Sequence, residues 1–320
     1  MKALRLRGPG RLVPEIAPDP VPGPDETVLR VTHCAICRTD AKMYRDGHRD
    51  LTLPRIPGHE IRGEGPDGTA YAVWPGHACG HCPTCRSGAE NLCPEMRIVG
   101  FHRDGGFAER VAVPRRSLLP LPPDLPGPVA CLAEPLACAI NGLDRAGVVR
   151  GDRVLVYGAG PVGLLLGLAA RFRGASPAVR EIRAGRLSES RAFRTRIGFP
   201  ECGDGETGFH AAINAAPDSA TVADGLSRLG PAGRFCLFSG LSTGEALSPS
   251  VLDIVHYRQL TVTGAYGCTR DGMGKALQIL SESHKEAALL VEEAGTLGDV
   301  PGLLAAVWEG RGPRRVIRPA

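Results

Sequence analysis

Residues 157–163 read YGAGPVG and place glycines at 158, 160 and 163, in G-x-G-x-x-G spacing. An apolar stretch of strand type, residues 153–157, precedes the turn, and a long apolar stretch of helical type, residues 161–172, follows it. Glycine permits a tight turn and lets a pyrophosphate approach the helix N-terminus, where free N–H groups and the helix dipole favour anions. In this strand–turn–helix context the motif predicts dinucleotide binding rather than a plain packing turn. The predicted cofactor contacts here are Gly158, Gly160, Pro161, Val162 and Gly163.

The segments on either side of this turn differ in pattern. Residues 1–130 show short alternating stretches separated by turns, which is typical of an all-β domain. Residues 131–266 alternate strand and helix patterns, which predicts a parallel sheet. The last segment, residues 267–320, has a helical pattern and ends in a strand-like stretch. We therefore expect an α/β dinucleotide-binding domain and a separate β domain.

Composition narrows the class of protein. The chain has 320 residues, 43% of them hydrophobic and 22% charged, which suits a globular protein of about two domains. The net charge is +4, but eight arginines and two glutamates between residues 171 and 198 give +6 locally, so the remainder sums to −2. A general nucleic-acid surface is therefore not expected. No stretch resembles a signal peptide or reaches the roughly 18 apolar residues of a membrane span, so we expect a cytoplasmic location with reduced thiols.

Four of the eleven cysteines are closely spaced, as C-x2-C-x2-C-x7-C within residues 76–97. Four thiolates joined by glycine- and proline-containing turns can form a closed tetrahedral shell around zinc, which is a structural rather than a catalytic arrangement. An iron–sulfur cluster is the alternative, although the proline after the fourth cysteine stands at the wrong distance for the usual cluster motif. The predicted ligands are Cys79, Cys82, Cys85 and Cys93.

The choice between NAD and NADP depends on the end of the second strand of the parallel sheet. In NAD-binding proteins an acidic residue about 20 positions after the last glycine binds the ribose 2′-hydroxyl. That count reaches Ile182 and Arg183, with Arg186 nearby, whereas strand alternation would turn Glu181 away. Arginine suits a 2′-phosphate, so the sequence favours NADP(H) through Arg183 and Arg186. The alternative is that this arginine-rich stretch is a solvated helix face.

Three short motifs upstream could form an open zinc site: Cys37-Arg38-Thr39-Asp40, Gly58-His59-Glu60 and Glu134-Pro135-Leu136. One thiolate, one imidazole and one or two carboxylates leave a coordination position for water or substrate. With the cysteine motif and glycine turn in this order, the chain resembles the zinc-dependent medium-chain alcohol dehydrogenases, especially the polyol and threonine dehydrogenase branch. The resemblance covers nearly the whole chain.

The resemblance implies a GroES-like catalytic domain, residues 1–130 and 267–320, with a Rossmann doubly wound parallel sheet, residues 131–266, inserted between them. It implies that Cys37 and His59 bind catalytic zinc and that Glu60 and Glu134 bind or approach it. Thr39 matches the hydroxyl that accepts the alcohol's proton, and Asp40 matches a carboxylate that orients the histidine. The resemblance also implies that Arg38 contacts the pyrophosphate, as does Arg314 or Arg315 near the C-terminus. Of these two, we assign the contact to Arg315.

Three positions depart from the family pattern. Where many relatives have a proton-relaying histidine five residues after the zinc cysteine, this chain has Lys42. A buried Lys42 could relay a proton or hold an anionic substrate, and an exposed one would only aid solubility. Residues 60–74 and 198–210 are shorter than in relatives, and a strand and helix are missing from the second stretch.

These observations predict an oxidoreductase with two zinc ions per chain that transfers hydride between NAD(P) and a small secondary alcohol or ketone of polyol, cyclitol, sugar or amino-alcohol type. Resemblance also implies a homodimer or homotetramer, and no nucleic-acid or membrane partner is expected. The alternatives are a zinc-stabilised NADP(H)-binding protein without dehydrogenase activity, serving as a sensor or partner subunit, and a reductase of activated C=C bonds.

Overall fold

The computed structural model describes residues 1–319; Ala320, the last residue of the predicted C-terminal segment, lies outside the described residues. Within that range none of the helices is both long and apolar enough to cross a membrane. The chain divides into two compact units. One comprises Met1–Ala137 together with the chain from Cys268 onward, and the other comprises Cys138–Gly267.

The strands, in chain order, are β1 (Lys2–Leu6), β2 (Leu12–Ile16), β3 (Glu26–Ala35), β4 (Glu60–Glu64), β5 (Ala70–Val73), β6 (Gly76–His77), β7 (Arg97–Ile98), β8 (Arg110–Pro114), β9 (Leu118–Pro120), β10 (Arg153–Tyr157), β11 (Ser176–Arg180), β12 (Phe209–Asn214), β13 (Leu229–Leu237), β14 (Thr261–Gly264), β15 (Val291–Gly295) and β16 (Arg314–Ile317). The helices are α1 (Arg38–Asp46), α2 (Pro83–Arg86), α3 (Gly127–Ala130), α4 (Ala133–Arg145), α5 (Pro161–Phe172), α6 (Ala184–Ile197), α7 (Ala220–Arg228), α8 (Pro249–Tyr257), α9 (Arg270–Glu282), α10 (His284–Ala287) and α11 (Val300–Glu309).

The first unit is a β domain built around β3. Its seven-stranded sheet runs β15-β16-β3-β4-β5-β9, and β8 also pairs with β3. Inward-facing residues of β3, such as Leu29 and Val31, are fully buried and join Phe107 and Val113 in one apolar core. Because β16 pairs antiparallel with β3, the C-terminal strand lies beside the end of β3, from which the chain continues to Cys37. The short stretch 60–74 forms the β4–β5 hairpin.

The second unit contains a five-stranded parallel sheet in the order β11-β10-β12-β13-β14. The order reverses between β10 and β12, and right-handed crossovers in opposite directions place helices on both faces of such a sheet. All residues of β10 after Arg153 are buried, as expected for a central parallel strand. The glycine turn therefore follows the strand at the reversal point, where doubly wound sheets bind their ligands.

The trimmed stretch predicted at residues 198–210 is visible at the sheet edge. Between α6 and β12 the described chain has no further helix or strand, only an isolated bridge that joins Glu201 to Val179 of β11. The sheet consequently ends at β11 rather than continuing to another strand. Polar side chains tie this segment down: Arg228 donates to the carbonyls of Gly203 and Glu206 and to the carboxylate of Asp224.

Candidate active site

Asp40 organises the first cluster, at the start of α1. The chain leaves β3 and enters α1 through Cys37, whose N–H donates to Asp40 Oδ2 at 2.8 Å. The other oxygen, Oδ1, accepts from the N–H of Gly58 at 3.3 Å and lies 3.4 Å from His59 Nδ1. One buried carboxylate thus fixes the helix start and the Gly58 turn by hydrogen bonds, and it lies against the imidazole, whose Nδ1 has no hydrogen-bond partner among the described residues. Because Nδ1 faces Asp40, Nε2 is the ring nitrogen left for a metal.

Gly58 lets the chain place His59 and Glu60 beside Cys37. Its φ is +91°, and an added Cβ would lie 2.7 Å from Phe107 Cδ1 and 2.9 Å from Cys34 Sγ. A larger residue would therefore be strained and would also collide with buried side chains. The turn has to be glycine for the histidine and glutamate to reach the cluster.

Cys37, His59 and Glu60 bring their ligand atoms within 4.8 Å of one another. The set is one sulfur, one imidazole nitrogen and one carboxylate, which suits zinc with an open position. Glu60 is fully buried, and its Oε2 has no hydrogen-bond partner. A buried carboxylate oxygen without a donor is costly unless a cation satisfies it. The donor set and this oxygen both fit a zinc ion.

Arg314 balances the charge of this cluster. Its Nη2 lies 2.5 Å from Glu60 Oε1 and 4.0 Å from Cys37 Sγ, and its guanidinium is almost fully buried. Burial alone would raise the pKa of the Cys37 thiol, but Arg314 and His59 lower it to about 7. Burial would lower the pKa of His59, yet Asp40 and Cys37 raise it well above its usual value. The surroundings therefore favour the thiolate, the form that binds metal.

The four predicted structural cysteines also come together, with their sulfur atoms within 4.8 Å of one another. The Cys79 and Cys85 sulfurs are 4.0 Å apart, as are those of Cys82 and Cys93. Tetrahedral zinc–sulfur bonds of about 2.3 Å require sulfur–sulfur edges of roughly 3.8 Å. Backbone N–H groups of Cys79, Cys82 and Cys85 donate to sulfur atoms of the set, which stabilises thiolates. No disulfide joins any of the eleven cysteines, all of which lie in the described range.

The glycine turn has the geometry that its spacing predicts. Gly158 has a φ of +104°, and its N–H donates to the carbonyl of Arg180. A Cβ on Gly163 would lie 1.9 Å from the carbonyl oxygen of Gly158, so only glycine lets α5 start this close to β10. α5 begins at Pro161, with Gly160 as its N-cap and Val162 in its first turn. This is the strand–turn–helix geometry that places a helix N-terminus towards an anion.

The structure corrects the expectation that Glu181 turns away from this site. β11 ends at Arg180, two residues earlier than the sequence pattern suggests, so strand alternation no longer governs Glu181. Its Oε2 accepts from the N–H of Ala159 in the glycine turn at 2.9 Å, and its Oε1 accepts from the N–H of Arg183. Arg186 Nη1 lies 3.7 Å from the same carboxylate, and Ile182 is 93% exposed.

Known proteins resemble this chain along its whole length. Residues 23–123 match the alcohol dehydrogenase GroES-like domain. D-altritol 5-dehydrogenase of Agrobacterium fabrum is 32% identical over 318 residues, which cover 94% of each chain. L-galactonate-5-dehydrogenase of Escherichia coli is 29% identical over 91% of this chain and 90% of its own. A zinc-binding dehydrogenase of Sinorhizobium meliloti, solved with NADP, superposes with a TM-score of 0.88 at 27% identity and 99% coverage of both chains.

The chain belongs to the zinc-dependent medium-chain alcohol dehydrogenase family. The predicted fold, a GroES-like domain with an inserted Rossmann sheet, is confirmed. This family member is an NAD(P)-dependent, zinc-type oxidoreductase. The alternative of a binding protein without dehydrogenase activity gains no support from these relatives.

The remaining predicted residues of the dehydrogenase lie on α1 and α4 and differ in how exposed they are. Thr39 is half-buried in the first turn of α1. Lys42 is exposed on that helix, so the burial needed for a lysine proton relay is not met. Arg38 is exposed, with its guanidinium 4.9 Å from the centroid of the Trp308 ring. Glu134, at the start of α4, is not a member of the Cys37 group. Burial raises the pKa of Glu60, and the negative charge of Glu134 raises it further.

Sequence reasoning assigned Arg315, rather than its neighbour Arg314, as a pyrophosphate contact and expected neither arginine beside the Cys37 cluster. Arg315 points to β15, where it pairs with Glu292, and Arg314 points to Glu60. Adjacent strand residues face opposite sides, so only one could enter the cluster. The pairing of β16 with β3 directs Arg314 to the cluster, and strands so far apart in the chain leave no local pattern that would predict this pairing.

Proposed function

We propose that this dehydrogenase interconverts a secondary alcohol of polyol or sugar-acid type and the corresponding ketone, with catalytic zinc at Cys37, His59 and Glu60. The observation that carries the proposal is the convergence of these three ligand atoms around a buried carboxylate oxygen without a hydrogen-bond partner. The named relatives that cover most of the chain, a D-altritol and an L-galactonate dehydrogenase, support this class of substrate.

The roles of the chain's own residues follow from their contacts. Zinc held here would supply Lewis acidity towards the alcohol oxygen, and a bound nicotinamide would accept the hydride from the carbinol carbon. Asp40 orients His59 and fixes the start of α1. Arg314 lowers the pKa of Cys37 by its positive charge, which favours the thiolate, and pairs with the buried carboxylate of Glu60. Thr39, two residues after Cys37 and partly exposed, is the hydroxyl that relays the alcohol's proton, accepting it while its own hydroxyl proton passes to solvent water.

A Cys37→Ser variant tests the proposal. We expect the wild-type protein to carry about two zinc ions per chain, one in each site, and the variant to carry about one. Turnover of polyols should fall at least a thousandfold, because serine is a poor zinc ligand. Cys236→Ala, at a buried cysteine of the Rossmann unit, is the control and should keep both zinc content and turnover. Unchanged turnover in Cys37→Ser, or one zinc in the wild type, would contradict the proposal.

We further propose that the cofactor is NAD(H) rather than the NADP(H) favoured by the sequence. The carboxylate of Glu181 is only 5% exposed and lies against the glycine turn, where a 2′-phosphate would meet its negative charge. Glu181→Ser should raise kcat/KM for NADPH relative to NADH. If instead the double variant Arg183→Asp, Arg186→Ala shifts preference from NADPH towards NADH, the original arginine-based prediction is correct.

The predicted homo-oligomer remains a proposal, with β14 as its contact. β14 is the edge strand of the Rossmann sheet, and apolar side chains are exposed there and at the end of α8, including Val262 and Tyr257. Exposed edges of this kind invite pairing with a second copy. Val262→Asp should therefore yield monomers in analytical ultracentrifugation, whereas Leu289→Asp, at an exposed leucine of the other unit, should not. A cytoplasmic location is likewise proposed, since both zinc sites need reduced thiolates.

A further inference from the structure

His48, in the loop after α1, lies close to the proposed catalytic centre although neither motif nor resemblance singles it out. Its ring meets Phe101 edge-on, with centroids 5.4 Å apart. Phe101 in turn meets His59 edge-on at 5.2 Å. The two imidazole centroids are therefore at most 10.6 Å apart, the sum of those distances. His48 thus stands one aromatic ring away from the metal-ligand histidine.

The hydrogen-bonding state of His48 is fixed by its own loop. The backbone N–H of Asp50 donates to His48 Nδ1 at 3.2 Å. Nδ1 is therefore an acceptor, and the ring hydrogen is on Nε2. Burial lowers the pKa of His48; Asp50 opposes this effect, and the positive charges of Lys42, Arg49 and His59 add to it. The ring is neutral at pH 7, with one N–H in a defined orientation.

The side chain is also held in place. It is only 14% exposed, and the loop that carries it is tied to Phe101 through the N–H of Thr52, which donates to the Phe101 carbonyl at 3.1 Å. Phe101 itself is almost fully buried. A donor on a rigid support contributes more to recognition than one on a mobile chain, since less entropy is lost on binding.

We propose that His48 is a specificity-determining residue that donates its Nε2–H to a hydroxyl of the substrate beyond the carbinol carbon. This inference rests on the proposed function, because it takes the carbinol oxygen to lie at Cys37, His59 and Glu60. A polyol has a further hydroxyl to reach such a donor, and a monohydric alcohol has none.

The test compares two substrates in the zinc-loaded enzyme with its dinucleotide: a polyol turned over by the wild type, and 2-butanol. His48→Phe keeps an aromatic ring against Phe101 but removes the N–H. We expect kcat/KM for the polyol to fall about tenfold, mainly through KM, with 2-butanol changed less than twofold. His48→Gln, which can place an amide N–H near the same position, should restore part of the loss.

His102→Phe is the matched control, because His102 is also partly buried and its Nδ1 also accepts a backbone N–H, that of Ile98. It should affect neither substrate selectively. Equal losses for both substrates in His48→Phe would mean a structural role and would overturn the inference, as would no loss for either.

A second readout does not depend on turnover. In 15N-labelled enzyme the His48 ring should show the Nε2–H tautomer at pH 7, and its Nε2 resonance should shift when the polyol is added. An Nδ1–H tautomer or an unshifted resonance overturns the inference. A wild-type enzyme that turns over 2-butanol but no polyol contradicts the proposed substrate class separately, and the His48 inference falls with it.

Discussion

The two sulfur-containing sites of the GroES-like domain are built in opposite ways. The four-cysteine site takes all its ligands from residues 79–93, and three of its cysteines are half-buried. The Cys37 site has its proposed ligands just before α1, just before β4 and at the first residue of β4, and its counter-charge is Arg314 on β16, 254 residues from Glu60. Backbone N–H groups support the thiolates of the first site, whereas a buried guanidinium supports the second.

This difference shows that a site built from one short segment and a site built from distant segments serve different purposes. A short segment with four cysteines can close a metal shell by itself, so its metal stabilises a local fold. An open site needs a missing ligand and a buried charge, and both are tolerated only when a preformed domain holds the remaining parts. Loss of metal should therefore damage folding at the first site and chemistry at the second.

The largest expected effect separates stability from activity. Cys82→Ser should remove the metal of the four-cysteine site and lower Tm by at least about 10 °C, since a structural zinc contributes several kcal/mol. Cys37→Ser should lower Tm much less while abolishing turnover. Differential scanning calorimetry with zinc analysis checks both. An unchanged Tm and zinc content in Cys82→Ser would remove the contrast between the two sites.

The next effect concerns the buried charge. Arg314→Met leaves Glu60 buried without its partner and should lower the free energy of unfolding by about 3 kcal/mol. Arg315→Met is the control, because Arg315 pairs with the half-exposed Glu292 on the adjacent strand and should cost less than about 1 kcal/mol. Urea unfolding of the two variants measures the difference. Equal losses would mean that Arg314 contributes only as an ordinary surface arginine does.

The local features of the fold could be predicted from the sequence. The strand 153–157 and the helix 161–172 have the bounds that their apolar patterns predict. The glycine turn between them marks where the strand ends and where the helix begins. The four-cysteine spacing likewise predicts a group that the structure brings together. In each case the residues that decide the geometry are neighbours in the chain.

Features that depend on pairing between distant segments could not be predicted in this way. The residue types of Cys37, His59 and Glu60 suggested an open zinc site, but their individual roles came only from the family resemblance. The sequence assigned Arg315 to the cofactor, whereas the placement of Arg314 against Glu60 follows from the pairing of β16 with β3. Glu181 was misjudged because β11 ends two residues early, at Arg180. His48 had no motif, since its position depends on Phe101, more than fifty residues later in the chain.

A matched pair of glycine substitutions tests how rigidly each site is supported. Gly58 and Gly80 both have positive φ, but only Gly58 is surrounded by buried side chains at 2.7–2.9 Å from an added Cβ. Gly80→Ala should cost about 1 kcal/mol of backbone strain. Gly58→Ala should add an overpacking cost, for a total of about 2–3 kcal/mol, and should also displace His59 and reduce turnover. Similar unfolding energies for both variants would contradict the difference in packing.

The smallest expected effect is the loss of folding stability of the GroES-like domain in acid that does not arise from metal release. Acid should release zinc from both proposed sites, because their ligands must be deprotonated to bind it. His33, on β3, adds a loss that needs no metal: burial lowers its pKa to about 4, helped by the nearby Arg318 and Arg62. The unfolded chain binds a proton near pH 6.5 and the folded chain does not, so stability is complete above that pH and falls until about pH 4.

The expected loss from His33 is about 2 kcal/mol between pH 7 and pH 4.5, and His33→Gln should remove it. Urea unfolding at the two pH values, with zinc and with a chelator, separates this contribution from metal release. The difference between wild type and variant should be the same in both conditions, because His33 belongs to neither proposed ligand group. A difference that vanishes with the chelator would instead tie His33 to the metal centres, and the acid sensitivity of the domain would then belong to the open site.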